Sequence, residues 1–76
     1  MIIITKAFDY ILYEKSAHLG HNTAMYNLGT CYEGGRGVTK DLNQARDWYT
    51  KAAAQGYYAN AQPQLDRLIA RRQRTN

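Results

Sequence analysis

Apolar residues recur along the chain at intervals of three and four, which is the spacing of amphipathic helices. Glycines interrupt this pattern at three places: Gly20, the stretch 34–37, and Gly56. Glycine often ends a helix because it adopts the left-handed conformation without steric cost. The pattern therefore predicts an all-α chain of about four helices. Their expected ranges are 3–19, 22–33, 40–55 and from residue 60 onward.

The first predicted helix carries two lines of apolar residues that are out of phase with each other. One line consists of Ile4, Phe8, Ile11 and Leu12, and the other consists of Tyr10, Tyr13 and Ala17. A two-residue insertion at Ile11 and Leu12 would rotate the residues behind it by about 200 degrees. We therefore expect this helix either to bulge at the insertion or to begin its packing only after it.

Local signals refine the other three helices. A glycine inside a helix costs about 1 kcal/mol relative to alanine, so the position of Gly29 beside Leu28 indicates a close helix crossing. Thr39 is the expected N-cap of helix three. Asn60 is the expected N-cap of helix four, which would place Pro63 in the first turn, where a missing amide is tolerated. The expected buried face of helix three is Leu42, Ala45, Trp48, Tyr49, Ala52 and Ala53.

The chain is partly repeated within itself. At a shift of 36 residues, Tyr13, Lys15, Ala17 and Gly20 recur as Tyr49, Lys51, Ala53 and Gly56. At a shift of 37, Ala24 and Leu28 recur as Ala61 and Leu65. A period of this length, made of two helices and their turns, is typical of an α-solenoid, in which each helix pair packs against its neighbours.

One set of residues between positions 24 and 56 carries a family resemblance. The set is Ala24, Leu28, Gly29, Tyr32, Gly35, Gly37, Val38, Asp41, Ala45, Trp48, Tyr49, Ala52, Ala53 and Gly56. It resembles one full repeat of the Sel-1-like family, a tetratricopeptide-related group of tandem helix pairs. The resemblance implies an antiparallel helix-pair solenoid, an αα-superhelix that works as an adaptor scaffold for other proteins.

The resemblance also implies a domain organisation for the single helical-repeat domain 1–76. Residues 1–20 correspond to the second helix of a degenerate upstream repeat, and residues 21–56 to the full repeat. Residues 57–76 correspond to the first helix of a partial downstream repeat and a basic tail. An array usually needs at least three repeats for stability. Three alternatives are therefore open: a fragment of a longer array, a degenerate terminal piece, or an oligomer formed by self-association through the exposed repeat ends.

Composition and charge agree with one small folded domain. The chain has 76 residues, of which 45% are hydrophobic, and a net charge of +4. The segment 66–76 carries most of that charge, from Arg67, Arg71, Arg72 and Arg74 against Asp66. The favoured interpretation is a solvated helix end whose arginines complement the helix dipole. The alternative is binding of RNA or an acidic surface through these arginines.

The cysteine count and the N-terminus bear on the compartment. A single cysteine, Cys31, excludes an intrachain disulfide and fits a reducing compartment, so an intracellular, cytoplasmic location is favoured. The apolar start of the chain is interrupted by Lys6 and Asp9, well before the roughly 20 residues that a membrane span needs. We expect neither a signal peptide nor a transmembrane segment.

Four candidate chemical sites all favour a structural interpretation. The glycine-rich turn at 34–37 lacks the preceding strand and the Lys-Ser or Lys-Thr of a phosphate loop. Gly20 separates His18 from His21, and the two lack the further ligands of a metal site. Cys31 has no basic neighbour to activate it, and Ser16 has no Ser-x-x-Lys arrangement. We therefore expect no catalytic residue, no metal, no cofactor and no enzyme activity.

The expected partner is a protein or peptide rather than a nucleic acid. In solenoids of paired helices, the first helix of each pair lines the concave wall. The packing side of helix two leaves five residues for that wall: Thr23, Tyr26, Asn27, Thr30 and Glu33. We interpret them as the partner-binding surface, in a groove formed by helices two and four. A degenerate repeat fragment without independent function is the remaining alternative.

Overall fold

A computed structural model describes the backbone of residues 2–74 and the side chains of residues 7–56 and 60–70. Four α-helices account for most of this part of the chain. They are α1 (Ile2–His18), α2 (Asn22–Gly34), α3 (Leu42–Ala52) and α4 (Tyr58–Arg74). A π-type turn, Ala53–Tyr57, joins α3 to α4. The all-α prediction is confirmed.

Consecutive helices pack against one another in chain order. Helix α2 lies between α1 and α3, and its interface with α3 is the largest in the molecule. Helix α4 packs on α3 and on the π-type turn. This arrangement of helix pairs is the solenoid-like architecture that the repeat pattern predicts.

The core combines small side chains with a few large ones. Its buried members are Ala17, Ala24, Met25, Leu28, Cys31, Ala45, Trp48, Tyr49, Ala52, Ala61, Leu65 and Leu68. Tyr32 and Ala53 are half-buried and pack against this cluster. The alanines allow the helices to approach each other, and the aromatic rings fill the space between them. Tyr49 and Leu28 are the largest side chains that are fully enclosed.

The contact between Gly29 and Tyr49 sets the distance between α2 and α3. A Cβ atom at Gly29 would lie 2.6 Å from Cε1 and 2.7 Å from Cδ1 of the Tyr49 ring. These separations are far below a normal carbon contact of about 3.5–4.0 Å. The ring is fully buried in the core. The close crossing predicted at Gly29 is confirmed.

The glycine turns repeat with the helices. Gly20 follows α1 with φ 96°, and Gly56 follows α3 with φ 101°, so the two equivalent glycines both adopt the left-handed conformation. Gly35 caps the C-terminus of α2 and, with Gly37, turns the chain toward α3. The amide of Asp41 then donates a 2.9 Å hydrogen bond to the carbonyl of Tyr32, which closes this turn.

Helix α1 differs from the prediction because it is helical without interruption from Ile2 to His18. The expected bulge at Ile11 and Leu12 is therefore absent from the described backbone. Packing also begins before the expected insertion, since the ring of Tyr10 lies edge-on to the ring of Tyr32 at 5.9 Å between centroids. Tyr10, Tyr13 and Ala17 already form one helical stripe, and this stripe packs in and against the core.

Both predicted N-caps are wrong. Asp41 caps α3, because its carboxylate accepts hydrogen bonds from the amides of Asn43 and Gln44 at 3.1 and 3.2 Å. Thr39 lies two residues too early to reach those amides. Helix α4 starts at Tyr58, directly after the π-type turn, so Asn60 lies inside the helix and Pro63 is its sixth residue.

The burial of Leu42 also differs from the prediction. It is the first residue of α3, one turn before the first buried residue, Ala45, and 38% of it is exposed. Among the other predicted members of this face, Ala45, Trp48, Tyr49 and Ala52 are buried and Ala53 is half-buried. The face is therefore one helical turn shorter than its apolar pattern suggests.

We expect Gly29→Ala to lower the free energy of unfolding by about 1–3 kcal/mol, because the added methyl group collides with an enclosed ring. Gly34→Ala is the matched control, since its Cβ would meet only the flexible side chain of Arg36 at 3.5 Å. Alanine is the better helix former, so the control should be neutral or up to about 1 kcal/mol more stable. Urea unfolding followed by circular dichroism measures both variants, and equal stability would contradict the close crossing.

Candidate functional site

The five residues predicted to bind a partner lie on one side of α2. Their spacing of three or four residues places them along the helix, away from the side that carries Ala24 and Leu28. Thr23 is exposed, whereas Tyr26, Asn27, Thr30 and Glu33 are half-buried. The contacts of their side chains divide them into two groups.

Glu33 belongs to a polar network that crosses three helices. Its Oε1 accepts a 2.7 Å hydrogen bond from the hydroxyl of Tyr49 on α3. The guanidinium of Arg67 on α4 pairs with both carboxylate oxygens of Glu33, and its Nη2 lies 3.0 Å from Oε1. A two-oxygen contact of this kind restricts orientation as well as distance. Glu33 therefore fixes α4 relative to α2 and α3.

Tyr26 extends the same network toward the start of α4. Its hydroxyl accepts a 3.3 Å hydrogen bond from Nε2 of Gln64, and Oε1 of Gln64 accepts one from Arg67. The ring of Tyr26 packs against the ring of Tyr49, with 5.5 Å between centroids. We call these five residues the polar network: Tyr26, Glu33, Tyr49, Gln64 and Arg67. It forms a closed circuit of contacts between α2, α3 and α4.

Two members of the polar network, Tyr49 and Arg67, have pKa values raised above their ordinary values. Burial raises the pKa of the Tyr49 phenol, and the hydrogen bond to Glu33 raises it further. The hydrogen bond to Glu33 also raises the pKa of Arg67. The phenol and the guanidinium are thus both held in their protonated forms, as donors to one carboxylate.

Thr23, Asn27 and Thr30 form the second group. The hydroxyl of Thr30 donates a 2.6 Å hydrogen bond to the carbonyl of Asn27, within α2. The hydroxyl of Thr23 donates to Oδ1 of its neighbour Asn22 at 3.3 Å. Across the side chains that the structure describes, the amide of Asn27 makes no hydrogen bond to another helix. Within the part of the chain that the structure describes, these three residues form a polar row whose hydrogen bonds stay within α2.

Helix α4 carries an equivalent row that the sequence analysis did not assign to the site. At the shift of 37 residues, Thr23, Asn27 and Thr30 correspond to Asn60, Gln64 and Arg67. Asn60 and Arg67 are exposed, and Gln64 is half-buried. The same shift aligns Ala24 and Leu28 with Ala61 and Leu65, so it would have identified this second row from the sequence. Gln64 and Arg67 of this second row also belong to the polar network, so Asn60 is its one member outside the network.

The basic C-terminal segment is only partly described. Arg67 is the one described member of the four arginines, and it pairs with Glu33 instead of extending a free cationic surface. The side chains of Arg71, Arg72 and Arg74 lie outside the described residues. Nothing in the described segment therefore favours the RNA or acidic-surface alternative.

The other candidate chemical groups have structural surroundings. Cys31 is buried, and burial raises the pKa of its thiol, which opposes formation of the nucleophilic thiolate. The ring of His18 lies edge-on to Trp48 at 5.3 Å. Among the described residues, no group of three or more His, Cys, Asp or Glu side chains could hold a metal. Of the helices described, none combines the length and apolarity needed to cross a bilayer.

A family model matches most of the chain. The model for the Sel1 repeat matches twice, at residues 5–21 and at residues 22–57. The second match contains α2, α3 and the π-type turn, and the boundary between the matches lies in the connection from α1 to α2. Sel1 repeats are helical units that generally mediate protein–protein interaction and act as scaffolds rather than enzymes.

Two curated proteins share a shorter stretch with this chain. DAP3-binding cell death enhancer 1 from rat (Rattus norvegicus) is 46% identical over 41 residues, and the mouse (Mus musculus) protein of the same name has the same identity. The shared stretch covers 54% of this chain and 8% of either relative. The chain therefore corresponds to a small part of the length of these proteins. No solved structure is significantly similar to it.

We expect the stability of the fold to decrease above about pH 10, because the pKa of Tyr49 is raised on folding from an ordinary value of 10.0. The protonated phenol contributes its full stabilisation below pH 10 and loses it as the pH rises through the folded pKa. Tyr10 adds to this loss, since a hydrogen bond with Tyr32 raises its pKa too.

Urea unfolding at pH 8, 10 and 11 tests this expectation. Tyr49→Phe should be less stable than the natural chain by about 1–2 kcal/mol at pH 8, since it loses a charge-assisted hydrogen bond. Between pH 10 and 11 the free energy of unfolding of this variant should fall less than that of the natural chain. The variant lacks the Tyr49 phenol, which is one of the two groups whose raised pKa causes the loss. Equal losses in the two proteins would show that the Tyr49 phenol is not linked to folding.

Proposed function

Because the chain belongs to the Sel1 repeat family, we propose that it is an interaction module that binds a protein or peptide partner across the polar rows of α2 and α4. The observation that supports this proposal most directly is that the polar row of α2 is repeated on α4. Thr23, Asn27 and Thr30 on α2 have counterparts at the same register on α4. In the proposal, these two rows form the concave wall of the helical array.

The domain organisation gives each helix a role in this proposal. The full repeat is 21–56, and its first helix, α2, supplies the first row. The segment 57–76 acts as the first helix of a following repeat and supplies the second row through α4. The segment 1–20 acts as the second helix of a preceding repeat, and α1 supports α2 from behind. Tandem first helices are what make an extended binding wall in helical repeats.

The chemistry of the rows suits a peptide backbone. Asn27 and Asn60 carry amides, each of which donates and accepts hydrogen bonds, and such groups pair with the amide and carbonyl of an extended segment. The threonine hydroxyls add shorter donors and acceptors beside them. Polar contacts of this kind supply specificity, whereas apolar side chains of the partner would supply much of the affinity.

The polar network supports this function indirectly. Tyr26 and Glu33, which the sequence pattern placed among the binding residues, connect α2 to α3 and α4. By holding the two rows at a fixed separation, they reduce the ordering that a partner must impose on binding. We therefore assign Tyr26 and Glu33 to positioning of the wall, and Thr23, Asn27 and Thr30 to contact with the partner.

The relatives agree with a protein partner in general terms. Their name describes them as DAP3-binding. The shared stretch is a small fraction of their length, so the identity of their partner does not carry over to this chain. For this chain the proposal specifies the chemistry of the surface and leaves the identity of the partner to experiment.

Site-specific photo-crosslinking tests the location of the surface. A benzophenone amino acid at Asn27 should form protein adducts in cells of the source organism. The same probe at Asp47, which is exposed on α3, is the matched control and should form few or none. Both positions tolerate a large side chain because neither is enclosed by the core. Equal adducts from the two positions, or adducts from Asp47 alone, would place the binding surface elsewhere.

The crosslinked partner, once purified, separates the proposal from the electrostatic alternative. We expect Asn27→Ala together with Asn60→Ala to weaken binding at least about tenfold, with an unchanged melting temperature. Raising the salt concentration from 50 to 200 mM should change the affinity only a few-fold. A loss of about a hundredfold or more over that range, insensitive to the two asparagines, would instead favour the C-terminal arginines.

A further inference from the structure

The side-chain amide of Asn22 joins the start of α2 to the turn between α3 and α4. Its Nδ2 donates a 3.0 Å hydrogen bond to the backbone carbonyl of Gln55, which lies 33 residues later in the chain. Its Oδ1 accepts a 3.3 Å hydrogen bond from the hydroxyl of Thr23. One half-buried side chain therefore contacts both the first residue of the α2 row and the segment from which α4 starts.

The turn that Asn22 contacts is the place where the chain changes direction between α3 and α4. Within this turn, Gly56 has non-helical dihedral angles, with φ 101° and ψ 1°. Glycine has more conformational freedom than any other residue, so the fold must restrict this position from outside. A Cβ atom at Gly56 would lie 3.8 Å from Nδ2 of Asn22, so the amide lies directly beside it. The Asn22 hydrogen bond can therefore restrict the direction in which α4 leaves the turn.

The other contacts of α4 restrict its middle more than its first turn. Its buried side chains are Ala61, Leu65 and Leu68. Apolar contacts of this kind are non-directional. Among the described side chains of α4, those of Gln64 and Arg67 make directional contacts with other helices, through the polar network. Asn60 lies four residues before Gln64, about 6 Å along the helix axis, and depends on the turn for its position.

The internal repeat indicates that the Asn22 hydrogen bond is particular to this junction. At the shift of 37 residues, position 22 corresponds to position 59, which is alanine in the sequence. The turn after α1 is closed by its own backbone. There the amide of Gly20 donates to the carbonyl of Ala17 at 3.0 Å, and the amide of His21 donates to that of Ser16 at 3.2 Å. The Asn22 bond is therefore an addition to the repeat pattern and not part of it.

We propose that Asn22 is a positioning residue, which sets the direction of α4 and thereby the place of Asn60 relative to the row of α2. This inference rests on the proposed function, in which Asn60 supplies one of the two amides that pair with the partner. Asn22 acts through Asn60, since its own amide is engaged by Gln55 and Thr23. By holding Asn60 in place before the partner arrives, it reduces the ordering that binding requires.

Distances between pairs of spin labels test the positioning role without a partner. In a chain with Cys31→Ala, which removes the buried thiol, labels at Asn27→Cys and Asn60→Cys report the separation of the two rows at the start of α4. Labels at Asn27→Cys and Ile69→Cys report the separation beyond the polar network, since Ile69 follows Arg67 by two residues and is exposed. Pulsed electron resonance measures both distance distributions.

The main variant is Asn22→Asp, which keeps the size of the side chain and the acceptor for Thr23. It replaces the donor with a carboxylate oxygen that the carbonyl of Gln55 repels. We expect this variant to shift or broaden the 27–60 distance distribution by at least about 3 Å, which is half a helical turn. The 27–69 distribution should stay unchanged, because the polar network holds that part of α4. Asn22→Ala, which removes the donor without adding a charge, should change the 27–60 distribution to a smaller extent.

The aspartate variant also separates positioning from a role in starting α2. An acidic residue in the first turn interacts favourably with the helix dipole, so a residue that only started α2 would tolerate this change. Gln55→Ala is the matched control, because Asn22 contacts the backbone carbonyl there and the side chain of Gln55 is exposed. It should change neither distance, and circular dichroism checks that every variant keeps its helices. An unchanged 27–60 distribution in both Asn22 variants, or equal changes at 27–60 and 27–69, would overturn the proposal.

A double-mutant cycle with the purified crosslinked partner tests whether Asn22 acts through Asn60. We expect Asn22→Asp to weaken binding at least about fivefold in the natural chain, and less than about twofold in a chain that already carries Asn60→Ala. Equal losses in the two backgrounds would contradict action through Asn60. If the probe at Asn27 captures no partner, the proposed function fails, and the distance distributions alone decide the role of Asn22.

Discussion

The contact of the Tyr49 ring with the backbone of α2 at Gly29 is the constraint on which the rest of the structure depends. It sets the separation of α2 and α3, since any side chain at position 29 would meet an enclosed ring. That separation also brings the Tyr49 hydroxyl to Glu33, which in turn holds Arg67 and thus α4. One glycine therefore determines the position of a helix that begins 29 residues later in the chain. Because the interior is close-packed, a displacement at this contact would also displace the side chains around it.

The polar network changes how the exposed side of α2 is understood. In sequence, Tyr26 and Glu33 have the same character as Thr23, Asn27 and Thr30: polar or amphipathic residues on the side away from the core. In the structure they connect α2 to α3 and α4, while the remaining three do not. A polar residue on the surface of a first helix can thus belong to the architecture of the wall. The distinction depends on which residues of the following repeat lie opposite it.

The sequence was most informative where one local rule decides the outcome. The helices, the left-handed glycines at positions 20 and 56, and the close crossing at Gly29 each follow from spacing or from steric size. Prediction from the sequence failed where two neighbouring residues could both cap a helix, and where a contact joins helices that are distant in the chain. Thr39 and Asp41 are both good caps, and only the start of α3 at Leu42 selects Asp41. The role of Arg67 required the position of α4 relative to α2, which is a long-range contact that helical periodicity does not contain.

Tyr49 belongs to the core through its ring and to the polar network through its hydroxyl. Any ligand that shifts α4 against α2 would alter the surroundings of this one side chain and would therefore change the stability of the folded state. By thermodynamic linkage, a change in the core that moves the Tyr49 ring would alter the affinity for the ligand by an equivalent free energy. In so small a domain, a substitution that changes the stability of the core would thus also change the affinity for such a ligand.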